Sequence, residues 1–176
     1  MVCLHTGASS WAPLPSPDPP FELLPTLFPV NALIAAGEWL WSGVPLRFPN
    51  LAIALSEGGM GWVPMLMDRV DYVVGHSASG TESGAWRSDL LPSEVLARSF
   101  WFCTIDDRSV VPIRHRIGID HIMVEVDYPH GDSTWPDTQR VIREAWGHIP
   151  VDELRKLTHR NAAALFRWPL PGVCRP

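Results

Sequence analysis

The sequence predicts an α/β fold of about four parallel strands alternating with helices, and three observations carry that expectation. Four short apolar runs, at 2–5, 51–55, 101–105 and 122–126, are separated by longer segments of helical periodicity. The runs are almost continuously apolar rather than alternating, as befits strands buried on both faces of a parallel sheet. Each also ends at an ionisable residue: His5, Glu57, Asp106-Asp107 and Asp127. Four such βα units fit either a doubly wound sheet or half of a (β/α)8 barrel.

The first run, Val2 to His5, gives way to a Ser- and Pro-rich stretch at 6–20 that reads as loop. An apolar helical segment follows at about 27–41. The second run, with Ile53 at its centre, stops at Ser56-Glu57-Gly58-Gly59. Behind it Val63, Leu66, Met67, Val70, Val73 and Val74 recur at spacings of three and four, an amphipathic helix. The segment 76–91 is polar, and Pro92-Ser93-Glu94 opens a short helix before the third run. A brief helix at 111–117 leads to the fourth run, which ends at Asp127-Tyr128-Pro129-His130. Two helices close the chain. Val141, Ile142, Ala145, Trp146 and Ile149 form the stripe of one, and Val151, Leu154, Leu157, Ala164 and Leu165 that of the other. Asn161 falls on the apolar face of the last helix, where an amide suits tying a loop.

Composition narrows the function classes. The 176 residues are 46% hydrophobic and 19% charged, which is globular rather than disordered. The formal charge is −5, and neither half of the chain is basic, so a phosphate-backbone partner lacks electrostatic support. Cys3, Cys103 and Cys174 are scattered singly, which argues against a zinc ribbon and fits a reducing cytosol. The N-terminus lacks the basic start of a secretion signal, and the apolar stretch 28–46 is broken by Asn31, Glu38, Gly43 and Pro45. The expectation is a soluble cytoplasmic protein acting on a small molecule, with no nucleic acid or membrane partner.

The C-terminal edge of a parallel sheet is where loops and helix N-termini converge. A histidine and two or three carboxylates meeting there suit a borderline divalent metal such as zinc. The metal would polarise an oxygen or activate a water, with an unbound carboxylate as general acid or base. Each residue also has an ordinary structural role. His5 could be a hydrogen-bonded strand end, Glu57 a partner for the helix after Gly59, and Asp106-Asp107 a turn or cap. His130 reads as either loop surface or support for the site. The remaining histidines, at 76, 115, 121, 148 and 159, show no partner pattern.

Taken together, Cys3-Leu4-His5-Thr6-Gly7, Phe48 to Gly59, Pro92-Ser93-Glu94, Gly118 to Ile122, Val126 to His130 and Asn161 to Phe166 resemble the amidohydrolase-related metal-dependent hydrolases. That group includes aminocarboxymuconate-semialdehyde decarboxylase. The segments occur in the family's order over nearly the whole chain. The resemblance implies that 1–176 is the C-terminal half of a distorted TIM (β/α)8 barrel, strands five to eight, without the N-terminal half. It implies metal ligands at His5 and Asp127, the latter serving as ligand or proton shuttle. Glu57 stands where the family's decarboxylases carry a catalytic histidine, and is expected as acid/base group, with His130 as a further catalytic residue. Trp135 is expected to line the pocket beside His130. The family's HxH or ExH pair of strand one has no counterpart in the chain. The expected activity is metal-dependent hydrolysis. Non-oxidative decarboxylation and an inactive fragment that needs an N-terminal half or a partner are the alternatives. Two copies closing one barrel would form a homo-oligomer, each supplying the same strand ends.

Overall fold

The computed structural model describes residues 1–6, 14, 16–76 and 86–171. Most of the expected Ser/Pro loop and the middle of the polar stretch after residue 76 lie outside the described residues. Strands β1 (Val2–His5), β2 (Ile53–Ser56), β3 (Phe100–Thr104) and β4 (Ile122–Val124) form one parallel sheet in the order β1-β2-β3-β4. Parallel neighbours need crossover connections, and helices supply them. The register sets His5 beside Ser56, Leu55 beside Phe102, and Thr104 beside Val124. The C-terminal ends therefore line up along one edge.

Between β1 and β2 lie α1 (Leu23–Thr26), α2 (Phe28–Trp41) and α3 (Val44–Arg47). Helix α4 (Val63–His76) follows β2, and α5 (Pro92–Ser99) leads into β3. Pro92 begins α5 because its missing N–H is unneeded there, and the Glu94 carboxylate reaches back to accept the Leu91 N–H at 2.7 Å. Helix α6 (Val110–Ile117) and a 3₁₀ turn (Ile119–His121) precede β4. After β4 come α7 (Thr138–Trp146), α8 (Val151–Arg155), a π-helical turn (Lys156–Arg160) and α9 (Asn161–Phe166).

Strand limits differ from expectation by one or two residues, each for a local reason. Strand β2 begins at Ile53, although pairing starts earlier, where Val2 N–H donates to the Ala52 carbonyl at 2.8 Å. Strand β4 stops at Val124 instead of Val126. Glu125 N–H still bonds the Thr104 carbonyl, but Asp127 at φ 57° has left the extended region. The apolar stretch at 23–41 is also more continuous than its polar interruptions suggest. It is 19 residues long at mean hydropathy 1.3, enough by length and composition to cross a membrane. Ala32, Ala36 and Leu40 on it are fully buried, and Ala36 and Leu40 belong to the main core of this fold.

The two faces of the sheet are covered unequally. Ile53, Leu55, Phe100, Phe102 and Ile122 join Leu40, Val63, Leu96, Ile117 and Trp146 in one large cluster beneath the helices. The intervening Ala54, Cys103 and Met123 form a small second cluster, to which α9 contributes Ala162 and Leu165. The Asn161 amide donates to the carbonyls of Ile119 and Ile122 at 2.7 Å each, which ties the last helix to the entry of β4.

Two contacts fix the β2–α4 connection. A Cβ on Gly58 would stand 2.5 Å from the Ala32 Cβ, so α2 can approach the end of β2 only because residue 58 is glycine. Asp107 accepts the Thr104 hydroxyl at 3.1 Å, and the Met60 N–H also bonds it. Burial nevertheless holds its carboxyl above the ordinary range, against those two bonds.

Gly58→Ala should cost about 1–3 kcal/mol by overpacking. Gly37→Ala, where nothing lies within 4 Å of the added Cβ, should instead stabilise by about 0.5–1 kcal/mol. Denaturant titration of the two variants checks the contrast. The raised Asp107 carboxyl means that the unfolded chain gives up its proton first as pH rises, so stability falls through that window. Asp107→Asn should therefore gain thermal stability over the parent progressively from about pH 4 upward. A difference that stays flat with pH would remove Asp107 as the source.

Candidate active site

The edge to which the strands deliver their C-termini carries the cluster that the sequence singled out. His5 is the last residue of β1, and Glu57 directly follows β2. Asp127 lies three residues beyond β4, and His130 lies in the turn after it. Thr6, Glu57 and Asp127 all have left-handed backbones, at φ 44°, 54° and 57°. Non-glycine residues pay roughly 1–2 kcal/mol for that conformation, so three of them at one edge is a concentration of local strain.

The side chains meet in a chain of contacts. His5 Nε2 is 3.0 Å from Glu57 Oε1, and Glu57 shares a hydrogen bond with Asp127. Asp127 accepts from His130 Nδ1 at 2.9 Å and 3.0 Å. One donor atom each from Glu57, Asp127 and His130 falls within 4.8 Å of the others. The two carboxylates are shielded, at 10% and 11% side-chain exposure, whereas the imidazoles of His5 and His130 stand 65% and 61% exposed. Burial raises the Glu57 carboxyl above the ordinary range. Nearby His5 opposes that shift, and Asp127 reinforces it. His130 is raised because its ring hydrogen-bonds Asp127.

Sequence reasoning missed Glu125. Its carboxylate accepts the Ser56 hydroxyl at 2.7 Å and the backbone N–H of Glu57, so it spans from β4 to the end of β2 across β3. The Cys103 thiol also bonds it, and burial raises both the Glu125 carboxyl and that thiol. The available signal was the alternation Val124-Glu125-Val126-Asp127, which puts two carboxylates on one side of an extended segment.

The other expectations divide. Asp106 is exposed, and Asp107 is spent on Thr104 and the Met60 N–H, so neither joins the cluster around Glu57. Both line an adjacent cavity of about 150 Å³ with Pro25, Phe28, Glu57 and Asp132. Trp135, expected in the pocket wall, is 61% exposed and stands edge-on to Tyr128 with ring centres 5.8 Å apart. The loop folds back through Thr134 N–H on the Val126 carbonyl and Trp135 N–H on Ser133 Oγ, and Asp132 is the loop residue that lines the cavity. His121 Nδ1–H donates to the Phe100 carbonyl at 2.8 Å and the ring stacks on Trp101, a structural role.

Comparison with known proteins completes the picture. No curated protein matches the chain. Among solved structures, 5-carboxyvanillate decarboxylase LigW from Sphingomonas paucimobilis aligns at 28% identity and TM-score 0.66, over 80% of this chain and 41% of its own. An amidohydrolase from Mycobacterium avium subsp. paratuberculosis aligns at 23% identity and TM-score 0.65, over 78% of this chain and 33% of its own. A 2,6-dihydroxybenzoate decarboxylase from Rhizobium shares the fold at 20% identity and TM-score 0.64, over 89% and 49%. A dihydroxybenzoic acid decarboxylase from Polaromonas, described with bound manganese and the inhibitor 2-nitroresorcinol, aligns at 19% identity and TM-score 0.59. The chain thus spans a third to a half of these proteins and matches about half of a TIM-barrel fold. The family model for amidohydrolases matches residues 2–168. By that match, and by the strand order and strand-end cluster that accompany it, the chain belongs to the amidohydrolase family.

Proposed function

We propose that the chain forms the strand-five-to-eight half of a metal-dependent amidohydrolase-family enzyme that hydrolyses a small molecule, with an N-terminal half completing the barrel. The observation that carries this reading is the His5–Glu57–Asp127–His130 contact chain at the C-terminal edge of a parallel sheet. Imidazole nitrogens and carboxylate oxygens within a few ångströms of one another are a donor set that fits a divalent ion such as zinc or manganese. His5 and Asp127 would hold the ion, and zinc is the proposed metal. When bound, it supplies Lewis-acid polarisation of a substrate oxygen.

Glu57, between His5 and Asp127, would take and return the proton of the attacking water as acid/base group. His130, anchored on Asp127 and largely exposed, would carry protons between the site and solvent. Among the described residues that line it, the adjacent cavity bears Glu57, Asp106, Asp107 and Asp132 and no basic residue. Such a lining favours neutral or cationic groups there over a free carboxylate. The free thiols of Cys3 and Cys103 suit a reducing cytosol.

Decarboxylation is the second reading, favoured by the likeness to LigW. There an acid group would protonate the carbon that loses carbon dioxide, and Glu57 would be that group.

The 176-residue chain should bind zinc or manganese in calorimetric titration, and Asp127→Asn or His5→Ala should weaken binding at least about tenfold. A chain that takes up neither ion overturns the reading. With the barrel completed, carbon dioxide release without hydrolysis product would decide for decarboxylation.

A further inference from the structure

Glu125 has both carboxylate oxygens committed before any ligand arrives. Oε2 accepts the Ser56 hydroxyl at 2.7 Å, and Oε1 accepts the Glu57 N–H. The residue's own N–H donates to the Thr104 carbonyl at 3.0 Å, and the Ser56 carbonyl receives the Thr6 N–H at 2.9 Å. These bonds lace the C-terminal ends of all four strands together. No basic side chain pairs with Glu125 among the described ion pairs. Hydrogen bonds alone hold it.

The Glu57 bond is the consequential one. Glu57 has φ 54°, and its N–H would lose its partner without the Glu125 carboxylate. A non-glycine residue released from such a conformation gains by returning to the extended region, which re-aims its side chain. Glu57 would then leave His5, now 3.0 Å away, and Asp127. Glu125 stands only two residues before Asp127, so one carboxylate ties the Asp127 segment directly to the backbone of Glu57, across 68 residues of sequence.

We propose that Glu125 is a positioning residue: by clamping the Ser56-Glu57 backbone to the end of β4 it sets the spacing of Glu57 and Asp127, and through it the affinity for a divalent ion. The affinity part rests on the metal-dependent reading above, whereas the clamp itself does not.

The test therefore has two arms on the full chain. In the metal-free protein, Glu125→Ala should speed hydrogen exchange at the Glu57 amide by at least about tenfold, leaving Leu55 and Phe102 protected. In calorimetric titration with zinc, the same variant should weaken binding by roughly 10–100-fold. Glu125→Gln, which keeps an acceptor oxygen but no charge, should retain most of the amide protection and most of the affinity. Ser56→Ala should produce a smaller loss in the same direction. Should Glu125→Ala fail to fold, the last two variants decide. Unchanged exchange at the Glu57 amide in a folded Glu125→Ala overturns the proposal, and so does Ser56→Ala with both the Glu57 exchange and the zinc affinity unchanged. So does Glu125→Gln binding zinc poorly with the Glu57 amide still protected, since charge rather than position would then be at work. A parent that binds no zinc but shows the exchange effect sinks the metal reading and leaves the clamp standing.

Discussion

The register of the parallel sheet is the constraint on which the rest depends. Ile53 and Leu55, Phe100 and Phe102, and Ile122 must all face the helical layer to reach the main core. Slipping any strand by one residue would turn those side chains to the opposite face, where Ala54, Cys103 and Met123 form the small buried cluster beside Trp101. Burial of five large apolar side chains at about 1.5–3 kcal/mol each far exceeds what any single polar contact contributes. The apolar pattern thus dictates where each strand ends, and so which residues emerge together. His5, Glu57 and Asp127 meet because core residues far from them leave no alternative.

That meeting is electrostatically awkward, and the way it is tolerated is informative. Glu57, Glu125 and Asp127 lie at one edge, and the neighbouring carboxylates disfavour ionisation of Glu57 and Glu125. The chain does not answer with lysine or arginine there. It answers with a backbone N–H, a serine hydroxyl, a thiol and two histidines. Three residues beyond strand ends are also held in left-handed backbone, which a folding optimum alone would have assigned to glycine. Glycines are used nearby, at Gly58 and Gly59, where α2 and Asp107 press close. The strained positions carrying Glu57 and Asp127 were thus kept for their side chains. Both costs are what the proposed cation at this site would offset.

Much of this was legible in the sequence, and the reasons differ by feature. Four strands and their helices could be read because continuous apolar runs and spacings of three and four are local patterns. His5, Glu57, Asp127 and His130 could be singled out because a strand end is a position that the pattern itself defines. The tie made by Asn161 followed from a polar residue on an apolar helix face, and the amide does bond the Ile119 and Ile122 carbonyls. What escaped is non-local. Nothing near Glu125 announces that its partners lie 68 and 69 residues away, on a strand that is not its neighbour in the sheet. Which side chains of the 128–135 loop line the cavity is set by the loop's internal hydrogen bonds rather than by its composition, and Asp132 is one that does. The fourth strand stopped two residues early because a single left-handed residue, Asp127, ends an extended run that hydrophobicity would continue.

The uneven burial of the strands carries the argument beyond the site. Strands β2 and β3 are almost wholly buried, whereas β1 alternates between half-buried and exposed, with Cys3 in the open. Each outer strand pairs on one side only within the sheet. A parallel sheet with one face thinly covered is unusual for an independent domain, because parallel sheets are normally covered on both faces. In a closed barrel the same two edges find partners and the face with Ala54, Cys103 and Met123 becomes interior. The solved relatives are two to three times as long as the part they share with this chain. In the proposed barrel, edge pairing and coverage of the second face would therefore come from one source, the other half.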